Sequence, residues 1–450
     1  MLELERKIYQ ELLEWKSRSQ GKSALLIEGA RRVGKSTIAE KFAREQYDDY
    51  IKLDFALEGP DIRRNFEENI GQMDVFFRNL FILKGKELPR RKSLLIFDEV
   101  QLFPLARQAI KYLVQDGRYD YLETGSLISI KRNVKDILIP SEEEKIKMYP
   151  LDFEEFLWAI GNRVTIPAIW DAFYRQIALG DPIHRKIMEQ FRTYMAVGGM
   201  PQAVVAFAEG NSYQRIDTVK RGILQLYEDD LHKNDELYGE KASLVFKTIP
   251  KQMTDHQSHY MFSEIDKNAR YKNYVDSVEF IADSMIANRC ANVSMPDVLL
   301  SQYADNRNFK LYMSDTGLLV SQLLKSGDGS NEIYRALIYD KLDANLGAVM
   351  ENMVAQMLVT NHHELYFHEY EYKPEDSKKE KKYEIDFLIA RNQRVCPIEV
   401  KSSGYKNHKS FDYFIKKYPI RIPERFILYT KDLRQDEGVT FLPLYMAMCL

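Results

Sequence analysis

The chain has 450 residues, 45% hydrophobic and 29% charged, enough for roughly two to four domains with ample cores rather than a small stapled scaffold. Its formal net charge of −3 excludes a globally basic nucleic-acid coat and leaves room for local basic faces. Cys290, Cys396 and Cys449 are too few and too scattered for a disulfide framework or a zinc knuckle; with no signal-peptide core and no apolar stretch of about 18 residues, a soluble cytoplasmic protein without membrane association is expected.

Residues 1–20 read as an amphipathic helix with Leu4, Ile8, Leu12 and Trp15 on one face. A short apolar run follows, and then Gly29-Ala30-Arg31-Arg32-Val33-Gly34-Lys35-Ser36-Thr37, which satisfies the phosphate-loop pattern GxxxxGK[ST]. Each residue type has a mechanical reason. Gly29 and Gly34 free the backbone so that successive N–H groups converge on phosphate oxygens. Lys35 supplies a mobile charge for the outer phosphates, Ser36 offers a hydroxyl to magnesium, and the next helix points its positive dipole end at the same anion. A nucleotide site is expected here.

Tyr50–Phe55 is a second strand and Phe76–Leu83 an apolar helix. Ser93–Phe97 reads as a buried parallel strand that delivers Asp98-Glu99 at its carboxyl end, where such sheets bind ligands. Asp98 is placed to hold magnesium, and Glu99 to orient or deprotonate an attacking water. Pro104–Val114 reads as a helix and Tyr119–Thr124 as a strand ending in Gly125-Ser126. Thr124 or Ser126 at its tip either senses the outer phosphate or belongs to an ordinary turn. Tyr149-Pro150-Leu151 is expected to start the last strand of a doubly wound parallel sheet.

Residues 152–240 are rich in aromatics and helix formers, with breaks at Gly180-Asp181-Pro182 and at the turn Gly198-Gly199-Met200-Pro201. Leu244–Met253, Ser263–Ala269 and Tyr274–Ala287 are three short helical patterns ahead of the strand-like Phe309–Met313. That order fits a winged-helix module, with Lys267, Arg270, Lys272 and Arg289 as local positive charge; such modules either dock on DNA or pack against protein. Gly347–Leu358 reads as a helix carrying Glu351, Tyr383–Ile389 as a strand carrying Asp386, and Pro397–Lys401 as a strand carrying Glu399 and Lys401. Glu399 and Lys401 share one strand face, and Asp386 and Glu399 would project from the same end of neighbouring strands. The two acids are then candidate Mg2+ ligands, with Lys401 activating water. A salt bridge between Lys401 and one carboxylate is the plainer reading. Lys378, Lys379, Lys381, Lys382, Lys406, Lys409, Lys416 and Lys417 either track phosphates or decorate a solvated hairpin tip.

Together GARRVGKST, LLIFDEVQ, the strand ending ETGS, the segment Pro150–Phe156, Gly198-Gly199-Met200-Pro201 and Phe309–Leu318 resemble the prokaryotic AAA+ family ATPases fused to a carboxyl-terminal domain of unknown function. From about Leu346 to Ile427 the chain is similar to the PD-(D/E)XK nuclease superfamily, through Asp386, Glu399 and Lys401 with Glu351 on the preceding helix. The resemblance implies an α/β protein: a P-loop AAA+ ATPase domain over residues 1–155, a helical segment over 156–240, a winged-helix-like module over 241–330 and a nuclease-like domain over 331–450. It implies ATP and Mg2+ as cofactors, and a homo-oligomer in which a neighbour's arginine completes the site. Family members often carry Gly-Arg shortly before the Pro-Leu segment, where this chain has Ile139–Lys145; Arg107, Arg118 and Arg132 are the remaining candidates. Two functions are compatible with these residues. One is an ATP-dependent enzyme acting on DNA through a metal-dependent nuclease-like domain. The other is an ATP-driven switch or docking protein whose nuclease-like domain is catalytically inactive.

Overall fold

The computed structural model describes residues 2–125, 140–233, 239–255, 258–324, 331–339, 346–375, 378–403, 408–418 and 424–450. Two compact units emerge, one of Glu5–Tyr149 with Asp283–Met285, the other holding Pro150–Ala282 and Ile286–Leu450. Among the described residues no helix is long and apolar enough to cross a membrane.

The first unit is built on five parallel strands: β1 (Ala24–Gly29), β2 (Asp49–Asp54), β3 (Ser93–Asp98), β4 (Asp120–Gly125) and β5 (Glu143–Met148), in the order β2-β3-β4-β1-β5. β1, β3 and β4 are buried along their whole length, as apolar runs covered on both faces must be. The last strand is not Tyr149-Pro150-Leu151 but the charged Glu143–Met148, which ends just before Tyr149. As an edge strand it keeps Lys145 and Lys147 exposed, so its period is masked in a sequence reading. Beneath the sheet Phe66 meets Phe55, Phe76, Phe97 and Phe103 edge-on, with ring centroids 4.9–6.0 Å apart. This aromatic knot pins the end of β3, and with it Asp98. The amino-terminal helix Ile8–Ser19 buries Ile8, Leu12 and Trp15 as expected, while Leu4 lies outside it.

The second unit begins with helices. Asp152 and Glu155 form a reciprocal capping box that starts the helix Phe153–Ala159, and this explains the polar residues of Pro150–Phe156. Among the described residues its sheet has eight strands in the order β12-β13-β11-β10-β9-β8-β6-β7. They are β6 (Ala287–Val293), β7 (Ala304–Met313), β8 (Leu365–Tyr372), β9 (Lys381–Arg391), β10 (Arg394–Lys401), β11 (Phe426–Tyr429), β12 (Arg434–Asp436) and β13 (Val439–Pro443). A division between residues 330 and 331 would cut this sheet, because β6 pairs directly with β8. The helix expected over Ser263–Ala269 is a short 3-10 turn, Phe262–Glu264, and the helix expected over Tyr274–Ala287 runs only over Val275–Asp283, since Ala287 already opens β6.

The helix Gly347–Thr360 is buried on nearly all sides, so its polar residues must bond inward. Asn352 clamps the Met313 backbone through both its amide atoms, at 2.7 and 3.1 Å, and Gln356 accepts from Thr316 N at 2.8 Å. One residue away, the Asp315 carboxylate caps the helix Thr316–Leu323 and accepts from Gly199 N. A Cβ on Gly199 would run into the Leu151 carbonyl, and one on Gly317 into the Val197 carbonyl. The Gly198-Gly199 turn and Gly317 thus meet backbone to backbone, a Cβ on Gly317 falling 2.5 Å from Gly198 Cα. The turn at Gly198-Gly199-Met200-Pro201 is a packing joint.

Candidate functional site

The carboxyl ends of β1, β3 and β4 converge in the first unit. Gly34 sits at φ 102° and Arg32 at φ 70°, so the loop bends back on itself before the helix Lys35–Gln46, whose start no side chain caps. A Cβ on Gly29 would collide with the Met148 carbonyl of the neighbouring strand. Ala30 and Val33 turn their side chains into the core, leaving their backbone to line the loop, whereas Arg31, Arg32 and Thr37 are exposed.

Lys35 is only 7% exposed and its Nζ donates to Gly29 O at 3.0 Å and Ala30 O at 2.9 Å. Burial lowers its pKa to about 8, against the pull of Glu99 and Asp98. Ser36 Oγ donates to Asp98 Oδ1 at 2.7 Å, and the Thr124 hydroxyl donates to the same oxygen. Lys52 Nζ stands 2.8 Å from Asp98 Oδ2 and 2.5 Å from Glu40 Oε1. Burial alone would raise the Asp98 pKa, but the bonds from Lys52, Thr124 and Ser36 outweigh it and hold this carboxyl below its usual range. Glu99 takes the left-handed conformation, φ 53°, which turns it out of the strand line; its N–H reaches Thr124 Oγ1 at 3.4 Å, and Gln101 Nε2 donates to its carboxylate.

Lys35, Ser36, Asp98, Glu99 and Thr124 are therefore brought together. Ser126 lies outside the described residues, as does Arg132. Arg107 has to be withdrawn as an arginine finger: it is 2% exposed and grips Glu143 through two bonds of 2.8 and 2.6 Å inside the unit. Arg118 pairs with Asp74 and Asp116 and lies at the amino-terminal end of β4, the opposite end of the strand from Thr124. Lys52 escaped sequence reading because its role arises only from the β2–β3 register, Lys52 against Ile96.

In the second unit β9 carries a bulge. Tyr366 pairs with Leu388 but His368 pairs with Ile385, so Asp386 and Phe387 together face the single Phe367. Such a bulge re-aims a side chain. β9 and β10 pair as far as Phe387 and Ile398, and just past that point Val400 N donates to Asp386 Oδ2 at 2.7 Å. Glu399 is 3% exposed; its Oε1 takes Lys401 Nζ at 2.6 Å, while its Oε2 has no hydrogen-bond partner among the described residues.

Glu351, on the buried helix, accepts from the Tyr312 hydroxyl at 2.5 Å and lies 3.5 Å from Lys310 Nζ, which also pairs with Glu384. Lys310, Tyr312 and Glu384 were not picked out from the sequence; they come from strands whose Glu-x-Asp and Lys-x-Tyr spacings are common. Desolvation and then Asp386 push Glu399 up to about 8; desolvation and then Glu351 push Asp386 up to about 6. Glu384 rises to about 7 through desolvation, partly offset by Lys310. Crowded carboxylates of this kind are a cation-seeking arrangement. Among the described residues no group of three or more acidic, histidine or cysteine side chains is placed to hold one metal ion. Two hard carboxylates, one with an orphaned buried oxygen, still suit Mg2+ or Mn2+. The exposed Lys378, Lys379, Lys381 and Lys382 lie on or beside the β8–β9 connection, Lys409, Lys416 and Lys417 lie on the helix Lys409–Lys417, and Lys406 is outside the described residues.

Residues 21–157 match the family profile of the AAA domain, residues 188–328 that of a domain of unknown function (DUF8612) and residues 346–447 that of another (DUF4143). The first unit therefore carries an AAA-type P-loop ATPase domain. No curated protein matches the chain. Among solved structures it is similar to the Walker-type ATPase PABY2304 of Pyrococcus abyssi, at 13% identity and TM-score 0.44, over 72% of this chain and 96% of that one. It is also similar to the RuvB Holliday junction branch migration motor of Thermotoga maritima, at 12% identity and TM-score 0.29, over 64% and 90% of the two chains. The STAND protein PH0952 of Pyrococcus horikoshii, with a tetratricopeptide repeat sensor, follows at 11% identity and TM-score 0.25, over 80% of this chain and 46% of that one.

Proposed function

We propose that the chain is an ATP-hydrolysing enzyme that acts on DNA through metal-dependent phosphodiester cleavage at Asp386, Glu399 and Lys401. At the phosphate loop, Gly29–Thr37 cradle the phosphates and Lys35 leaves the Gly29 and Ala30 carbonyls for the outer phosphate. Ser36 and Asp98 would hold Mg2+, whose part is to neutralise charge on the phosphates. Glu99 orients the attacking water, and Thr124 keeps both acidic residues in register through its bonds to Asp98 and to the Glu99 backbone. Homo-oligomerisation on nucleotide, with Arg118 or Arg132 acting across the contact, belongs to the same reading.

At the second site Asp386 and Glu399 would hold the divalent ion, which supplies Lewis acidity to the scissile phosphate. Val400 N–H fixes the Asp386 carboxylate, and Lys401 stands within reach of the attacking water or the developing charge. The observation that carries this reading is the buried, unpartnered Glu399 Oε2, because a salt bridge with Lys401 satisfies only the other oxygen. DNA is the favoured substrate class on the strength of the exposed lysines around the β8–β9 connection. The helices Gly239–Thr254 and Val275–Asp283 with the β6–β7 hairpin are the parts of the winged-helix reading; since β6 is tied to β8, a packing role suits them better than groove reading. The test is a substitution series. Asp386→Ala, Glu399→Ala and Lys401→Ala should each abolish cleavage and leave ATP hydrolysis intact. Cleavage that survives all three refutes the assignment.

A further inference from the structure

We infer that Lys310 is a built-in cation that fills one of two places in the acidic cluster, so that the site takes a single divalent ion of the Mg2+ or Mn2+ class. This rests on the metal-binding reading of Asp386 and Glu399 given above. Four carboxylates, Glu351, Glu384, Asp386 and Glu399, face two ammonium groups, Lys310 and Lys401. With all four ionised, two negative charges are left over across the cluster as a whole, which is the charge of one divalent ion.

Geometry assigns the halves of the cluster. Lys310 Nζ is bonded to Glu384 Oε1 and lies 3.5 Å from Glu351 Oε1, so both of those acids already have a cation. Tyr312 adds a hydroxyl donor to Glu351 at 2.5 Å. Lys310 is held in place from below: it is paired in the β6–β7 ladder opposite Cys290, and its ammonium stands 5.2 Å over the Phe367 ring. The other half differs. Asp386 keeps its bond from Val400 N–H, and Glu399 presents a buried oxygen that no described residue satisfies. A cavity of about 300 Å3 lined by Lys310, Tyr312, Glu351, Glu384 and Asp386, though not by Glu399, reaches the Asp386 edge of the cluster. An ammonium with three donors is a fair stand-in for an ion among carboxylates. Without it, Glu351 and Glu384 would face Asp386 with no counter-charge, and a second ion would be drawn in.

The experiment counts Mn2+ bound to the nucleotide-free full-length chain, by calorimetry and by electron paramagnetic resonance of the free ion. Lys310→Met should bind one more Mn2+ per chain than the parent, and Lys310→Arg, which keeps the charge, should bind the same number as the parent. A Lys310→Met count equal to the parent's, or an equal gain in Lys310→Arg, overturns the inference. Should Lys310→Met fail to fold, Lys310→Gln keeps a donor for Glu384 and is counted in the same way. Melting gives a second readout: saturating Mn2+ should raise Tm by several degrees more in the Lys310 variants lacking charge than in the parent. Glu399→Gln separates the two claims. A parent count that Glu399→Gln does not lower refutes the metal reading itself; a count that it lowers by one, with no gain in Lys310→Met, refutes only the role of Lys310.

Discussion

Lys35 should make ATP binding draw a proton from solvent. Its ammonium is 7% exposed and, among the described residues, hydrogen-bonded to the Gly29 and Ala30 carbonyls alone, and burial brings its pKa to about 8. That displacement from 10.5 disfavours the charged form by about 3 kcal/mol. A phosphate charge about 4 Å away, at an effective dielectric near 20, returns about 4 kcal/mol, enough to protonate the lysine on binding. Above pH 8 the ATP affinity should therefore fall about tenfold per pH unit, and at pH 9 binding should take up about nine-tenths of a proton per chain. Calorimetry across pH 7–9.5, in pairs of buffers with different ionisation enthalpies, reads both quantities. Lys35→Arg, which stays charged throughout, should bind more weakly and lose the pH dependence. The stability of the nucleotide-free domain carries the complementary sign. Between about pH 8 and 10.5 the unfolded lysine holds a proton that the folded one has released, so stability rises with pH across that window and the gain is lost as pH falls through 8. An ATP Kd that is flat from pH 7 to 9.5, with no proton uptake, would refute this reasoning.

Glu99→Gln should bind ATP with near-parental affinity and hydrolyse it at least about a hundredfold more slowly; a parental rate would remove Glu99 from its role. Arg107→Leu should destabilise the first unit by about 3 kcal/mol, because the buried Glu143 loses its two-bond partner and keeps only the half-exposed Lys145 at 3.7 Å, and the double variant Arg107→Leu/Glu143→Leu should recover most of the loss in a thermal melt. A loss of ATP turnover at unchanged Tm would instead return Arg107 to the arginine-finger role. Gly198→Ala should lower stability by about 3 kcal/mol, since the residue sits at φ 86° and a Cβ there meets the Asp315 carboxylate and Gly317; a Tm within a degree of the parent's would contradict the joint.

The phosphate loop was legible because its chemistry is local: glycines, lysine and serine act within a few residues of one another. Asp98-Glu99 was legible for a related reason, as acids at the end of an apolar strand. Thr124 was legible only as a polar residue at the tip of a neighbouring strand, and Lys52 not at all, since strand order β2-β3-β4 and not chain order sets both against Asp98. The edge strand Glu143–Met148 was hidden by its charges, and Arg107 looked available because its burial depends on Glu143, 36 residues away. In the second unit Glu351, Asp386, Glu399 and Lys401 were read correctly onto a helix and two strands. The bulge that aims Asp386 and the lysine that neutralises Glu351 come from pairings across the sheet, which no spacing in the chain encodes.

The most direct test of the proposed function is incubation of the purified full-length protein with supercoiled plasmid and with linear DNA, with and without ATP, in Mg2+ or Mn2+ and in chelator. Nicking or cutting that requires the divalent ion and disappears in Asp386→Ala is the predicted result. Wild-type protein that hydrolyses ATP but leaves every DNA substrate intact under all these conditions would contradict it and leave an ATP-driven switch.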